Sequence, residues 1–244
     1  MVHDEAGYAL DLGPGLDLVR CGKNEEDLLL HLALGLHEFL WSGAGWHVVH
    51  GAALVQGGEA WLFLGPSRAG KSTLAAEGWL QGLEVLGDDM VLLHAAEGTL
   101  EAIPKPLKVR LPIGATPPAR LAARLVPGMW AHGVAYDDPA LLLGRATGGF
   151  APVERRYPFG GAVVLERDHG RPGWRLARAD RLALVRAVIE QTFVGPERGL
   201  AVLEPFRRLL ERGRAFTLRV GDGATAEAVA AVRDGALYND PAAY

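Results

Sequence analysis

Gly65-Pro-Ser-Arg-Ala-Gly-Lys-Ser72 follows the apolar run Ala60-Trp-Leu-Phe-Leu64 and opens a helix-like segment, Thr73 to Leu80. The stretch fits G-x-x-x-x-G-K-S, and its setting between a strand and a helix is the one in which that spelling wraps backbone around phosphate. Gly65 and Gly70 permit a turn tight enough for successive N–H groups to converge on phosphate oxygens, and the positive end of the next helix favours anions. Pro66, Ser67, Arg68 and Ala69 supply the intervening backbone. Lys71 reaches the outer phosphates, the Ser72 hydroxyl is a Mg²⁺ ligand, and Thr73 continues the first helical turn. The expected ligand is a nucleoside triphosphate or another polyphosphate.

Upstream, Trp46-His-Val-Val-His-Gly-Ala-Ala-Leu-Val55 alternates, and the turn Gln56-Gly-Gly-Glu59 returns the chain as Ala60 to Leu64, which reads as a β-hairpin. A hairpin and a long lead ahead of the loop argue against a purely parallel sheet. The expected fold class is α/β, with a hairpin-rich mixed sheet flanked by helices. Downstream, the helix ends around Gly82, and the short strand Leu83 to Leu86 runs into Gly87-Asp88-Asp89 before Met90 to Leu93. Two adjacent acids at a strand end, on the side where the loop lies, supply a metal-binding carboxylate and a general base. An Asx-type turn is their structural alternative.

The chain has 244 residues, 49% hydrophobic and 22% charged, enough to bury a sizeable core. It reads as one domain over 1–244: a lead and helix in 1–45, a nucleotide-binding core in 46–110, and a loop-rich, helical part in 111–244. No apolar run reaches membrane-spanning length and the N-terminus has no basic start with an apolar core, so a cytoplasmic protein without a membrane partner is expected. Cys21 is the single cysteine, which rules out an internal disulfide, and no Cys/His cluster has zinc spacing. A net charge of −4 argues against nonspecific nucleic-acid binding. It conceals an uneven distribution, since Arg145 to Arg219 holds 15 arginines against 8 acids.

His50, the loop Gly65 to Thr73, its helix and Gly87-Asp88-Asp89 together resemble the catalytic domain of HPr kinase/phosphorylase. In that family a histidine precedes the phosphate loop, and an Asp-Asp pair follows the loop lysine, at the intervals found here. The resemblance is clear over about residues 46 to 94. It implies a phosphoenolpyruvate-carboxykinase-like fold, with ATP and Mg²⁺ or pyrophosphate serving the phosphorylation of a protein serine. It also implies Asp89 as the base that accepts the hydroxyl proton and Asp88 with Ser72 on the Mg²⁺ side. His50 ends a strand segment next to the loop strand, so its imidazole is expected to hydrogen-bond an Asp or a phosphate oxygen and tune proton transfer, with a core histidine satisfied by backbone as the alternative. Two departures point away from HPr itself as substrate. There is no separate N-terminal domain of the size found in the bifunctional enzymes, and Glu101-Ala-Ile-Pro-Lys-Pro-Leu-Lys-Val-Arg110 stands where that family has a glycine-rich signature. The compact layout is closer to the HPr-kinase-related enzymes, some of which phosphorylate precursor peptides such as those of lasso peptides.

The rest of the chain offers candidate contacts. Lys108 and Arg110 share one face of the expected strand 105–110 and suit a phosphate or acidic substrate. Residues 111–149 read as a short helix with long loops, a candidate lid or binding element. Arg155 and Arg156 precede the expected strand Gly161 to Glu166 and have the chemistry to stabilise a transferring phosphoryl group. Arg178 to Val194, Leu200 to Arg212 and Thr225 to Arg233 read as helices, and Phe216 to Val220 as a strand. The expected function is an ATP-dependent kinase acting on a serine of a peptide or small protein. An HPr-type kinase/phosphorylase, a nucleotide-sensing ATPase switch and a small-molecule kinase are the alternatives, and a homo-oligomer is left open. No Asn-Lys-x-Asp accompanies the loop, which disfavours a GTPase.

Overall fold

The computed structural model describes residues 2–4, 7–10, 19–22, 45–103, 107–110, 130–132, 139–143, 148–152, 154–192 and 199–239. The expected helix Leu28 to Trp41 and most of 111–149 lie outside the described residues. Strands β1 (Val2–Asp4), β2 (Gly7–Leu10) and β3 (Val19–Gly22) pair antiparallel. The remaining strands of the core are β4 (Trp46–Val49), β5 (Ala52–Gln56), β6 (Glu59–Leu64), β7 (Glu84–Gly87), β8 (Val91–His94) and β9 (Thr99–Ala102), followed later by β13 (Arg156–Asp168), β14 (Trp174–Arg178) and β15 (Ala215–Gly221). They form a nine-stranded mixed sheet with the path β4-β8-β9-β13-β6-β5-β7, and β15 and β14 follow off β13.

β13 holds this sheet together. Its first residues pair antiparallel with β9, and from Phe159 onward it runs parallel to β6, with Val164 opposite Leu64. Its far side runs parallel to β15 from Ala162 to Asp168. The sequence pattern marks only Gly161 to Glu166 as strand because Gly160-Gly161 looks like a turn. The two glycines serve close packing instead: a Cβ at Gly161 would lie 2.1 Å from the Trp61 ring, and one at Gly160 2.7 Å from Glu59 Cβ.

Helices cover both faces. Alternate residues of β13 point to opposite sides. Val163 and Leu165 join the core that holds Leu74, Ala75, Ala76 and Trp79 of α1 (Lys71–Leu80) and Ala228, Val229 and Val232 of α4 (Thr225–Arg233). Ala162 and Val164 join the other core, with Leu184 and Val188 of α2 (Arg181–Gln191) and Val202, Phe206 and Leu209 of α3 (Gly199–Glu211). α2 starts later than the sequence pattern suggests because Arg178 is still in β14, paired with Phe216, and Asp180 caps the helix by accepting from the Ala183 N–H at 3.0 Å.

Two further expectations are corrected. Residues 46–55 are two strands, not one: β4 pairs with β8, whereas β5 pairs with β6 and β7, and the chain breaks at His50-Gly51. Within 111–149, read as a short helix with long loops, the described residues include strands β11 (Trp130–His132) and β12 (Pro139–Leu143). β12 pairs with both β11 and β10 (Leu107–Arg110). Two apolar pairs suit this: Leu143 lies opposite Leu107 and Leu141 opposite Val109, and Leu107 and Val109 are buried.

Candidate active site

Two crossings of the sheet bring the site together. β4 passes to β5 through His50 and Gly51, and β7 passes to β8 through Asp88, Asp89 and Met90, so both stretches leave one half of the sheet and enter the other at the same level. Val49 stands opposite Val91 on one side of the break and Ala53 opposite Gly87 on the other. The Gly51 N–H donates to the Asp89 carbonyl at 3.0 Å and the His50 N–H to the Gln191 carbonyl at 2.7 Å. This registry aims the side chains at each other, with His50 Nε2 at 2.9 Å from Asp89 Oδ1.

The loop leaves the end of β6 and enters α1. Gly70 is the residue before the helix, with φ 99°, a left-handed conformation that glycine adopts without strain. Arg68 holds φ 69° with a side chain present, a local cost of a kind that gathers at functional loops. Gly65 is required for a different reason from the one its place in the motif indicates. A Cβ there would lie 2.6 Å from the Leu165 carbonyl oxygen, so the glycine lets the loop approach the β13 backbone. Pro66, Ser67, Arg68 and Thr73 are exposed, Ser72 is half-buried, and Ala69 packs inward.

Lys71 is buried, and its ammonium donates to the carbonyls of Gly65 at 2.6 Å and Pro66 at 3.1 Å. Burial pushes its pKa below the usual lysine value, and the carboxylates of Asp89 and Asp88 partly oppose that push. The loop lysine and both acids therefore share one electrostatic neighbourhood. Asp88 is 3% exposed, whereas the Asp89 side chain is 35% exposed. Among the described residues no three His, Cys, Asp or Glu side chains gather into a metal site of their own. Mg²⁺ takes one or two protein carboxylates together with substrate phosphates and water, so Ser72 and one acid of the pair fit that ion in its nucleotide-bound form.

The candidate arginines lie elsewhere. Arg156 bonds Glu97 at 2.8 Å, lies 3.9 Å from Glu101, and stacks on the Trp46 ring. Arg155 stacks on Tyr157. Arg156 starts β13 and Arg155 precedes it, whereas the loop packs on Leu165, nine residues beyond Arg156 and roughly 30 Å away at strand rise. Lys108 and Arg110 stand on β10 opposite Leu142 and Ala140, and their side chains lie outside the described residues. One basic residue that the sequence pattern passes over does come to the loop: the Arg167 guanidinium lies within 4 Å of a Cβ built on Gly70. Its signal was its place, two residues beyond Leu165 on the strand parallel to β6.

No known protein-family model matches the chain, and no curated protein matches it. Among solved structures it is similar to the Hpr(Ser) kinase/phosphatase from Coxiella burnetii, with 11% identity and a TM-score of 0.36 over 78% of this chain and 97% of that one. A likeness at that level is too weak to assign an activity.

Proposed function

We propose that the chain is a Mg-ATP-dependent kinase with an HPr-kinase-like fold that phosphorylates a serine hydroxyl of a peptide or small protein. The observation that carries this reading is the His50–Asp89 pair at 2.9 Å, whose carboxylate, with that of Asp88, acts on the charge of the loop residue Lys71. A loop of this spelling can bind phosphate with many outcomes. An oriented, solvent-reachable carboxylate next to it is what an incoming hydroxyl needs.

In this reading the loop N–H groups and Lys71 hold the outer phosphates of ATP and neutralise charge as the terminal phosphoryl group is transferred. Mg²⁺, held by Ser72 and Asp88, would neutralise phosphate charge. Asp89, oriented by His50, accepts the proton of the attacking serine Oγ. The new bond joins Oγ to the terminal phosphorus, the bond from that phosphorus to the bridging oxygen breaks, and ADP leaves. Asp88 suits the metal side because it is buried, and Asp89 the base because the hydroxyl can reach it. ATP is the preferred donor over pyrophosphate, and the expected setting is the cytoplasm.

Intact-mass spectrometry of candidate peptides and small proteins, HPr and a lasso-type precursor among them, after incubation with enzyme and Mg-ATP tests this function. One added phosphate on a serine is expected. Phosphate appearing only on small molecules, or ATP hydrolysed without transfer, would contradict the substrate class and favour a small-molecule kinase or an ATPase switch.

A further inference from the structure

We propose that Arg167 is a further phosphate ligand of the site, reaching the nucleotide's phosphates from the β13 side of the loop. The inference rests on the proposed phosphate loop and adds a residue that no part of the motif contains.

Three observations carry it. The first is register. Val164 pairs with Leu64 across parallel strands, so β13 runs on beside the loop as β6 turns into it. The second is direction. Arg167 alternates with Val163 and Leu165, whose side chains lie on the α1 face, so its own side chain extends over the N-terminal end of α1. Its placement agrees: a Cβ on Gly70 would lie 3.6 Å from Arg167 Nε and 3.7 Å from its Cζ. The third is charge. The acids beside it serve other cations, Glu166 bonding Arg219 at 2.7 Å and Asp168 lying 3.6 Å from Arg171. Among the described residues Arg167 itself has no ion-pair partner, although it is only half-buried and two acids flank it in sequence. A guanidinium held against Gly70, the last loop residue before α1, presents a fork of donors suited to phosphate oxygens.

The test is equilibrium dialysis of the full chain against Mg-pyrophosphate and Mg-ATP, for wild type, Arg167→Met, Arg167→Lys and Lys71→Ala, with nucleotide-free melting temperatures alongside. Arg167→Met should weaken both ligands by about ten- to a hundredfold and leave the melting temperature unchanged, as loss of a charged hydrogen-bonding partner requires. Arg167→Lys should recover part of the affinity, since it restores charge without the fork. Arg167→Gln replaces the Met variant if that one does not fold. Wild-type affinity for both ligands in the charge-removing variant would overturn the inference. So would weakened ATP with unchanged pyrophosphate, which would move Arg167 to the base or ribose. If Lys71→Ala loses binding while Arg167→Met keeps it, the Arg167 inference alone fails. If wild type binds neither ligand, the phosphate-loop reading falls and takes this inference with it.

Discussion

His50 Nε2 lies 2.9 Å from Asp89 Oδ1, and the backbone ties the same two turns together through the Gly51 N–H and the Asp89 carbonyl at 3.0 Å. The backbone bond fixes where the two turns sit, and the side-chain bond fixes which way the Asp89 carboxylate faces. Removing the imidazole should therefore disturb orientation and leave the sheet in place. His50→Ala is expected to lower kcat by about ten- to a hundredfold with little change in the KM for ATP, the scale of a small misplacement of a reacting group. Steady-state kinetics across pH would check this, and a wild-type rate and pH profile in the variant would reduce the pair to packing.

The two acids should separate by function. Asp89→Asn is expected to cost on the order of a hundred- to ten-thousandfold in kcat, the range for losing a general base, with the Mg²⁺ requirement unchanged. Asp88→Asn should raise the Mg²⁺ concentration needed for half-maximal rate. Magnesium titrations of both variants decide it, and the opposite pattern would exchange the two roles.

Lys71 gives a pH prediction with a definite sign. Its folded pKa lies below the usual value of 10.5, mainly because burial disfavours the ammonium. Between the lowered pKa and 10.5 the unfolded chain binds more protons than the folded one, so stability rises with pH across that window. Below it both forms are protonated and the burial penalty is fully present. Lys71→Met should therefore raise the melting temperature of the nucleotide-free protein near neutral pH, flatten the alkaline slope, and abolish transfer. Melting curves from neutral pH upward would show it, and an unchanged slope would mean that the amine carries no burial penalty.

Gly65→Ala tests the packing of the loop on β13. The added methyl would meet the Leu165 carbonyl oxygen, a backbone atom that cannot turn aside. A loss of about 1–3 kcal/mol of stability is expected, the scale of overpacking, together with loss of nucleotide binding. Gly58→Ala makes a useful contrast, since nothing lies within 4 Å of its added Cβ and only its φ of 80° opposes the change. Chemical denaturation compares the two, and equal costs would remove the steric explanation.

The strand and helix that flank the loop, and the place of the two acids just past β7, were legible because each is local: the spelling and the period lie within a few residues. The mixed sheet was legible for the same reason, from one hairpin. The break at His50-Gly51 was hidden because both halves are largely apolar, and only their different partners, β8 for one and β6 with β7 for the other, divide them. The full length of β13 was hidden because Gly160-Gly161 spells a turn unless the Trp61 ring is known to fill the missing Cβ space. Arg155 and Arg156 drew attention as a basic pair, yet their partners are Glu97, Tyr157 and Trp46. Arg167 drew none, because nothing in sequence says which strand runs beside the loop.

Calorimetric titration of the wild-type chain and Lys71→Ala with Mg-ATP measures most directly whether the 65–72 loop is a nucleotide site. Saturable binding of one nucleotide by the wild type, lost in a folded Lys71→Ala variant, is the expected result. No binding by the wild type, or equal binding by both proteins, would contradict it.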